Sequence, residues 1–542
     1  MSNIDPLRDR KFLLVEDFEA MRSVLKGLLL RCGAQRVDVA TDGREAASLL
    51  RKGSYDIVMC DYNLGAGKNG QQLLEESRMN GWIGPAAVWL MVTAEKTNDM
   101  VSVAAEDAPD DYLLKPITES LLQARLFKLV ERKTSLAGIA AAMKARDWPS
   151  ALKLCDEQLA SGTRNAAEVL RLQSQLYQQT GDWARAKALY ETVLQRAPIP
   201  WARLGLAQMH LRQKDPARAR ALLVETVRDH PQYLEAYDCL ASLLSAQGQH
   251  QQEFSVLERA ATLSPNSAAR QSALGAAALK LGQADDAARA FTRSMKLAEH
   301  SAVENVEPFL GLARIHSEAG APREAQKVLA DLAKRHDSPK AQVLARAESV
   351  RALQAAGDAA GAARLAGELA AMAQDDANPL PSDIAMRIAE TLIESQQVGE
   401  ATSLLQYVTR NNHDDDTLLK RAQQAFDKAG MGAAGSEVLA AARRQATDSM
   451  TEGVRLMAAG DLQAALASMR AARTAMPQNT RVLLNFAAVA LTCVEKQGRS
   501  PALESEARAA IAAARALRPE DARGAELLGR LAKIAGEASP TK

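Results

Sequence analysis

The sequence predicts an α/β domain built on a doubly wound, five-stranded parallel sheet, followed by an all-α solenoid. Residues 11–132 alternate short apolar runs with amphipathic stretches, a pattern typical of a parallel sheet covered by helices on both faces. Beyond residue 135 good helix formers dominate, and glycine and proline recur at nearly regular intervals. A chain of 542 residues is also too long for one core. We therefore expect a first domain at 1–132, a helical array at 136–525, and a capping helix with a tail at 525–542.

Five apolar runs are the candidate strands of the first domain. Amphipathic segments such as 20–32 and 44–53 lie between them, and we expect these segments to form the covering helices. In parallel doubly wound sheets, functional groups collect at the carboxyl ends of the strands. The five runs are KFLLV (11–15), RVDVA (36–40), YDIVMC (55–60), AAVWLMV (86–92) and DYLLK (111–115).

Charged and hydroxyl side chains stand at four of these carboxyl ends. Glu16 and Asp17 follow the first run, Asp61 follows the third, Thr93 follows the fourth, and Lys115 closes the fifth. Three carboxylates at one edge repel one another and resist ionising together, and a hard divalent cation such as Mg²⁺ removes that conflict. Such a site lets Asp61 attack a phosphoryl donor, while Lys115 and the Thr93 hydroxyl hold the phosphoryl oxygens.

This arrangement resembles the bacterial response-regulator receiver family, whose fold is flavodoxin-like, throughout residues 11–132. The separation of 44 residues between Asp17 and Asp61 fits the family. The resemblance implies that Asp61 is the phosphoacceptor and that Asp17 and Asp61 bind Mg²⁺ directly. It also implies that Glu16 belongs to the ion pocket, usually acting through water, and that Asn63 offers its backbone carbonyl to the metal.

The same resemblance assigns a conformational switch to the last two strands. Thr93 and Lys115 are 22 residues apart, as the family requires, and Tyr112 precedes the lysine by three residues. Tyr112 matches the switch aromatic of the family, which turns inward when the hydroxyl residue moves toward the phosphoryl group. The resemblance further implies a cis peptide bond between Lys115 and Pro116.

One segment departs from the family pattern. Receiver domains often carry proline four residues after the phosphoacceptor, but this chain has Gly65 there. Gly70 also lies one residue further along the chain than in the family pattern. We expect a slightly longer, more flexible loop after Asp61, which affects the phosphorylation rate and the choice of partner rather than the chemistry.

Periodic glycines and prolines divide the second part of the chain. Gly248 and Gly282 are 34 residues apart, as are Ala241 and Gly275. Further glycines at 181, 320, 357 and 460 separate helical stretches, and prolines at 198, 231, 265, 477 and 519 close them. This helix–turn–helix period resembles that of tetratricopeptide repeats, which implies a protein-binding solenoid of roughly ten units, with an uncertain register in the Ala-rich region 340–450.

Four residues are candidates for the partner-binding concave face of the array. They are Arg171, Gln175, Trp201 and Gln208. Trp201 has a second interpretation, because a tryptophan beside two prolines also packs under the preceding turn, and we favour packing for it.

Composition restricts the remaining function classes. The 67 basic and 66 acidic residues nearly cancel, so we expect no nucleic-acid partner, although a local basic patch stays possible. The five cysteines are scattered, which favours a reduced, cytoplasmic chain without a metal cluster of cysteine and histidine. No apolar run reaches the length of a signal peptide or a membrane span, so we expect no membrane contact.

Together these features favour a phosphorelay response regulator that is not an enzyme beyond its own phosphorylation and dephosphorylation. Its partners would be a sensor histidine kinase or phosphotransfer protein and an output protein bound by the array, and a homodimer is possible. The alternatives are a constitutive adaptor whose receiver is a phosphate sink, a transcriptional regulator, and an enzyme with an unrecognised output domain. We also expect one helix at about 118–131 and another from 135, without a Gly/Ser tether between them.

Overall fold

The computed structural model describes residues 7–84, 86–94, 109–301, 303, 305–372, 380–518 and 521–535. The chain divides into two compact units, Met1–Gly311 and Leu312–Lys542, and each unit is described by itself. No helix in the described part of the chain combines the length and the apolar character needed to span a bilayer.

The first unit opens with five parallel strands in the order β2-β1-β3-β4-β5. They are β1 (Lys11–Val15), β2 (Arg36–Ala40), β3 (Ile57–Asp61), β4 (Val88–Thr93) and β5 (Asp111–Leu114). The doubly wound parallel sheet predicted from the sequence is therefore confirmed. The winding direction reverses between β1 and β3, and in such sheets a crevice opens beyond the carboxyl ends of the strands at that point.

Helices cover both faces of the sheet, and alternate residues of β1 enter different cores because successive side chains of a strand point to opposite faces. The helices are α1 (Glu19–Arg31), α2 (Gly43–Lys52), α3 (Gly70–Met79) and the first half of α4 (Glu119–Lys144). Phe12 and Leu14 pack with residues of α1 and α4. Leu13 and Val15 pack with residues of α2 and α3.

Helix α4 corrects the prediction of two helices around residues 132–135. It runs unbroken for 26 residues from the sheet into the array. The sequence between 131 and 135 holds neither glycine nor proline, so nothing interrupts the backbone hydrogen bonds. The first half buries Leu122 and Leu126 against the sheet, and the second half packs Leu136 and Ile139 with the helices that follow.

The rest of the described chain is helical. The helices are α5 (Trp148–Ala160), α6 (Ala166–Gln179), α7 (Trp183–Arg196), α8 (Pro200–Arg212), α9 (Pro216–Asp229), α10 (Leu234–Ala246), α11 (His250–Leu263), α12 (Ala268–Lys280), α13 (Ala284–Leu297), α14 (Glu307–Glu318), α15 (Pro322–Arg335), α16 (Pro339–Ala355), α17 (Ala359–Met372), α18 (Ser382–Glu394), α19 (Val398–Asn411), α20 (Asp416–Lys428), α21 (Gly432–Ala458), α22 (Leu462–Ala475), α23 (Thr480–Gln497), α24 (Pro501–Leu517) and α25 (Ala522–Ala535). The all-α solenoid predicted from the sequence is thus confirmed.

The repeat is regular from α6 to α12 and irregular from α14 onward. Helices α6, α8, α10 and α12 begin at residues 166, 200, 234 and 268, so each begins 34 residues after the one before. Helices α14, α16 and α18 begin at 307, 339 and 382, and α21 extends over 27 residues. Loss of the period explains why the register at 340–450 could not be assigned from the sequence.

Turns between paired helices need a left-handed residue, which glycine supplies at 181, 248, 282, 320, 357 and 460, as the sequence predicted. The same conformation falls on Arg146, Lys214 and Gln396, with φ values of 57°, 59° and 61°. These three turns have no glycine at the left-handed position, so the spacing of glycines did not predict them. The predicted closing proline at 519 lies outside the described residues.

Candidate functional site

Three carboxylates meet at the carboxyl edge of the sheet. One carboxylate oxygen from each of Glu16, Asp17 and Asp61 lies within 4.8 Å of the others. Glu16 is 1% exposed and Asp61 is 7% exposed, whereas Asp17 faces solvent. The parallel register brings them together, because Val15 lies beside Cys60 at the ends of β1 and β3. The carboxylate convergence predicted from the sequence is thus present.

The ammonium of Lys115 bridges two of these carboxylates. Its Nζ donates to Asp61 Oδ2 at 2.7 Å and to Glu16 Oε2 at 2.9 Å. Burial raises the pKa of Glu16, and the negative charge of Asp61 adds to this, while the bond from Lys115 opposes it. Burial lowers the pKa of Lys115, but its bonds to the two acids outweigh that cost and leave the pKa raised. Among the residues that the structure describes, Lys115 is the ammonium that contacts the carboxylates of this site.

The donor set fits Mg²⁺, the cofactor expected for this site. Carboxylate oxygens are hard ligands, Mg²⁺ uses one or two of them with water, and three are gathered at this edge of the sheet. Asn63 lies two residues beyond Asp61 with an exposed side chain, and its carbonyl role stays a prediction.

Thr93 and Tyr112 lie on the neighbouring strands. Thr93 ends β4 and is 2% exposed, and its carbonyl accepts the Lys115 N–H at 2.8 Å. Tyr112 pairs with Met91 on β4 and lies half-buried against the α2–α3 side of the core, where burial raises its pKa. The peptide bond between Lys115 and Pro116 is cis, as the sequence led us to expect. The structure therefore brings the predicted pocket residues together, and their switch roles stay predictions.

The loop after Asp61 shows why proline is absent from it. Gly65 has φ of +70°, which the proline ring cannot adopt, and a Cβ there would lie 3.1 Å from Asp17 Oδ2. The loop closes where the Gly70 N–H donates to the Tyr62 carbonyl at 2.8 Å. A Cβ on Gly70 would lie 2.3 Å from the carbonyl oxygen of Asp61, so only glycine fits there. A hydrogen bond between the backbones of Gly70 and Tyr62 closes the loop, and its greater length and flexibility stay predictions.

Arg22 is a pocket residue that the sequence analysis missed. Its Nη1 donates to the backbone carbonyls of Glu16 at 2.9 Å and Asp17 at 3.1 Å. The guanidinium thereby fixes the turn that carries two of the acids. Its position on α1, outside every strand end, gave no signal in the sequence.

Two parts of the chain match known protein families. The response regulator receiver domain family matches residues 12–127, and a tetratricopeptide repeat family matches residues 171–233. The chain is 35% identical over 125 residues to chemotaxis protein CheY-3 of Vibrio cholerae, which covers 23% of this chain and 95% of that protein. The chain belongs to the response-regulator receiver family. It is also 35% identical over 122 residues to chemotaxis protein CheY of Pseudomonas aeruginosa, covering 22% of this chain and 97% of that protein.

Solved structures are similar to separate parts of this response regulator. The response regulator protein TrrA from Thermotoga maritima in complex with Mg(2+)-BeF is 26% identical, covers 22% of this chain and 98% of its own, and has a TM-score of 0.20. A tetratricopeptide repeat protein from Parabacteroides merdae is 13% identical, covers 48% of this chain and 98% of its own, and has a TM-score of 0.37. The receiver-plus-repeat organisation predicted from the sequence is confirmed by the two family matches.

The four candidate residues of the array's concave face differ in their surroundings. Trp201 packs edge-on against Tyr190, with ring centroids 6.1 Å apart, in a cluster between α7 and α8. This contact agrees with the packing interpretation, while Trp201 stays partly exposed and its partner-binding role stays a prediction. Arg171 and Gln208 are exposed and Gln175 is half-buried, so all three can meet a ligand, and their partner-binding role stays a prediction.

Proposed function

We propose that the protein is a phosphorelay response regulator in which phosphorylation of Asp61 controls the protein binding of the repeat array. The observation that carries the proposal is the contact of Asp61 with Lys115 inside a cluster of three carboxylates at the carboxyl edge of the sheet. The donor would be a sensor histidine kinase or a phosphotransfer protein, as in other response regulators. In this bacterial two-component setting we place the protein in the cytoplasm.

The proposed reaction uses the pocket residues directly. A carboxylate oxygen of Asp61 bonds to phosphorus, the bond from phosphorus to the donor's histidine nitrogen breaks, and its electron pair leaves with the imidazole. Lys115, 2.7 Å from Asp61, then holds a phosphoryl oxygen, and the Thr93 hydroxyl holds another. Mg²⁺, when bound by Asp17, Asp61 and the Asn63 carbonyl with Glu16 nearby, supplies positive charge to the transferring phosphoryl group.

Beyond self-phosphorylation and autodephosphorylation, we propose binding rather than catalysis as the output. The array offers exposed polar residues on paired helices, such as Arg171 and Gln208, and solenoids of this kind present extended concave surfaces to other proteins. The partner would be an output protein recognised by this surface.

The junction between receiver and array supports direct coupling. Asp110 lies just before β5, and its Oδ1 forms ion pairs with two residues in the middle of α4. Arg132 Nη2 lies 3.1 Å from this oxygen and Lys133 Nζ lies 2.9 Å from it. The same carboxylate accepts the Trp89 N–H of β4 at 2.8 Å, and Arg132 also lies 3.7 Å from Glu168 on α6. A change in β4 or β5 therefore reaches the array through a continuous helix held by ion pairs.

A phosphotransfer assay tests the receiver chemistry. Acetyl phosphate with Mg²⁺ should place one hydroxylamine-sensitive phosphoryl group on the full chain and none on Asp61→Asn. Asp42→Asn is the matched control, because Asp42 stands at the end of β2 and only caps α2, a role that asparagine fills equally well. Labelling of Asp61→Asn equal to wild type would refute the assignment.

Hydrogen exchange separates a controlled scaffold from an adaptor whose receiver only stores phosphate. With Mg²⁺ and beryllofluoride as the phosphoryl mimic, we expect altered amide protection at residues 135–200 in the wild type and none in Asp61→Asn. Unchanged protection in a chain that does bind the mimic would favour the phosphate-sink alternative.

A further inference from the structure

The receiver touches the array at a second place, far along the chain from α4. Gln72, in the first turn of α3, donates from Nε2 to the backbone carbonyl of Leu297 at 2.9 Å. Leu297 is the last residue of α13, and the last four carbonyls of a helix have no intrahelical partner. One side chain of the receiver thus caps the carboxyl end of an array helix 225 residues away.

Hydrogen bonds with Asn69 fix the orientation of the Gln72 side-chain amide. Its Oε1 accepts the Asn69 N–H at 3.1 Å, and the Asn69 side chain accepts the Gln72 N–H at 2.9 Å, which together form a capping box. With Oε1 engaged at the start of α3, Nε2 is left to face the array. The contact therefore uses a side chain that is already ordered.

The start of α3 is tied to the phosphoacceptor. Gly70 is the first residue of α3, and its N–H bond to Tyr62 closes the loop that follows Asp61. The backbones of Gly70 and Asp61 pack so closely that no Cβ fits between them. We therefore expect movement of this loop to displace the turn of α3 that carries Gln72.

The array side of the contact is equally constrained. Phe291 of α13 fills the space left by Gly275 of α12 and Gly311 of α14, where added Cβ atoms would lie 2.6 Å and 2.3 Å from its ring. Helix α13 is thereby locked to the helices before and after it.

We propose that Gln72 and the carboxyl end of α13 form a latch that holds the receiver against the array in the unphosphorylated state and opens when Asp61 is phosphorylated. This inference rests on the proposed function and adds a second regulatory contact to the α4 junction. By thermodynamic reciprocity, the factor by which the phosphoryl mimic weakens the latch equals the factor by which the closed latch weakens binding of the mimic. A variant that opens the latch should therefore bind the mimic more tightly.

Three variants of the full chain separate the latch from the helix cap. Gln72→Glu keeps an oxygen for the Asn69 N–H, and its charge suits the start of α3, but it presents a second acceptor and a negative charge to the carbonyl end of α13. Asn69→Ala removes the cap and leaves Gln72 in place. Asp61→Asn removes the phosphorylation site.

Amide exchange at residues 294–301 is the first measurement. Without a phosphodonor, Gln72→Glu should exchange there about fivefold faster than wild type, as the net worth of one neutral hydrogen bond allows, and Asn69→Ala should match wild type. Mg²⁺ and beryllofluoride should produce the same increase in wild type and none in Asp61→Asn. Equal exchange in wild type and Gln72→Glu, or an equal increase in Asn69→Ala, would overturn the latch.

The affinity for Mg²⁺ and beryllofluoride is the second measurement. Gln72→Glu should bind the mimic up to about fivefold more tightly than wild type, and Asn69→Ala should bind it as wild type does. Unchanged affinity in Gln72→Glu would refute regulation by the latch. Failure of wild type to bind the mimic at all would instead refute the proposed function, while the exchange comparison still decides whether the contact exists.

Discussion

The receiver edge and the repeat array are built on opposite rules. At the edge, side chains from separate strand ends converge, and a buried Glu16 and a buried Asp61 share the single ammonium of Lys115. In the array, close contacts between helices depend on side-chain size, as where Gly205 leaves room for the Tyr190 ring. In the receiver, individual residues therefore indicate the chemistry of the site. In the array, the residues indicate the fold but not the ligand.

Removing the cation from the receiver edge should have the largest effect. Lys115→Ala leaves two buried carboxylates without their partner, and breaking a buried pair in this way costs about 3–5 kcal/mol in the free energy of unfolding. Mg²⁺ should restore part of that loss, because it supplies the missing positive charge. Urea unfolding of the full chain in EDTA and in Mg²⁺ measures both effects.

Lys11→Ala is the control for this comparison. Lys11 pairs with Asp38 at 3.1 Å, but both side chains are more than a third exposed, so its loss should cost under about 1 kcal/mol. A loss for Lys115→Ala as small as that for Lys11→Ala would mean that the edge is no more dependent on charge than the surface.

Adding one methyl group tests the size rule of the array. In Gly205→Ala the new Cβ would lie 2.3 Å from the Tyr190 ring, and overpacking of this kind costs about 1–3 kcal/mol. Gly138→Ala is the control, because its Cβ would meet only Leu154 at 3.7 Å and alanine favours the helix by about 0.5–1 kcal/mol. Thermal unfolding should therefore move in opposite directions for the two variants. A shift of the unfolding temperature in the same direction for both variants would contradict the size rule.

The sequence predicted what depends on residue type and missed what depends on context. Acids at strand ends and the glycines of the turns carry their own signal, so the sheet, the pocket and most of the repeat were predictable. Lys214 in a left-handed turn carries no such signal, because its conformation is imposed by the helices on either side. The contact of Gln72 with Leu297 was beyond prediction, because it joins residues 225 apart in the chain and neither residue type signals the pairing.

The smallest expected effect concerns a histidine of the array, His413, in contrast to the acidic edge of the receiver. Asn479 caps α23 with Oδ1, which accepts two backbone N–H groups, so its Nδ2 is the donor to His413 Nδ1 at 2.9 Å. His413 must therefore accept through an unprotonated Nδ1, and burial lowers its pKa.

The sign of the resulting pH dependence follows from linkage. Because the folded chain holds His413 with a pKa below the ordinary value of 6.5, the unfolded chain binds the proton more readily as the pH falls. The stability linked to His413 is complete above pH 6.5 and declines as the pH falls from there toward the folded pKa. Urea midpoints measured between pH 7.5 and 5 should show this decline in wild type, and it should be weaker in His413→Asn, which cannot titrate. An identical slope in the two proteins would assign the acid sensitivity to other groups.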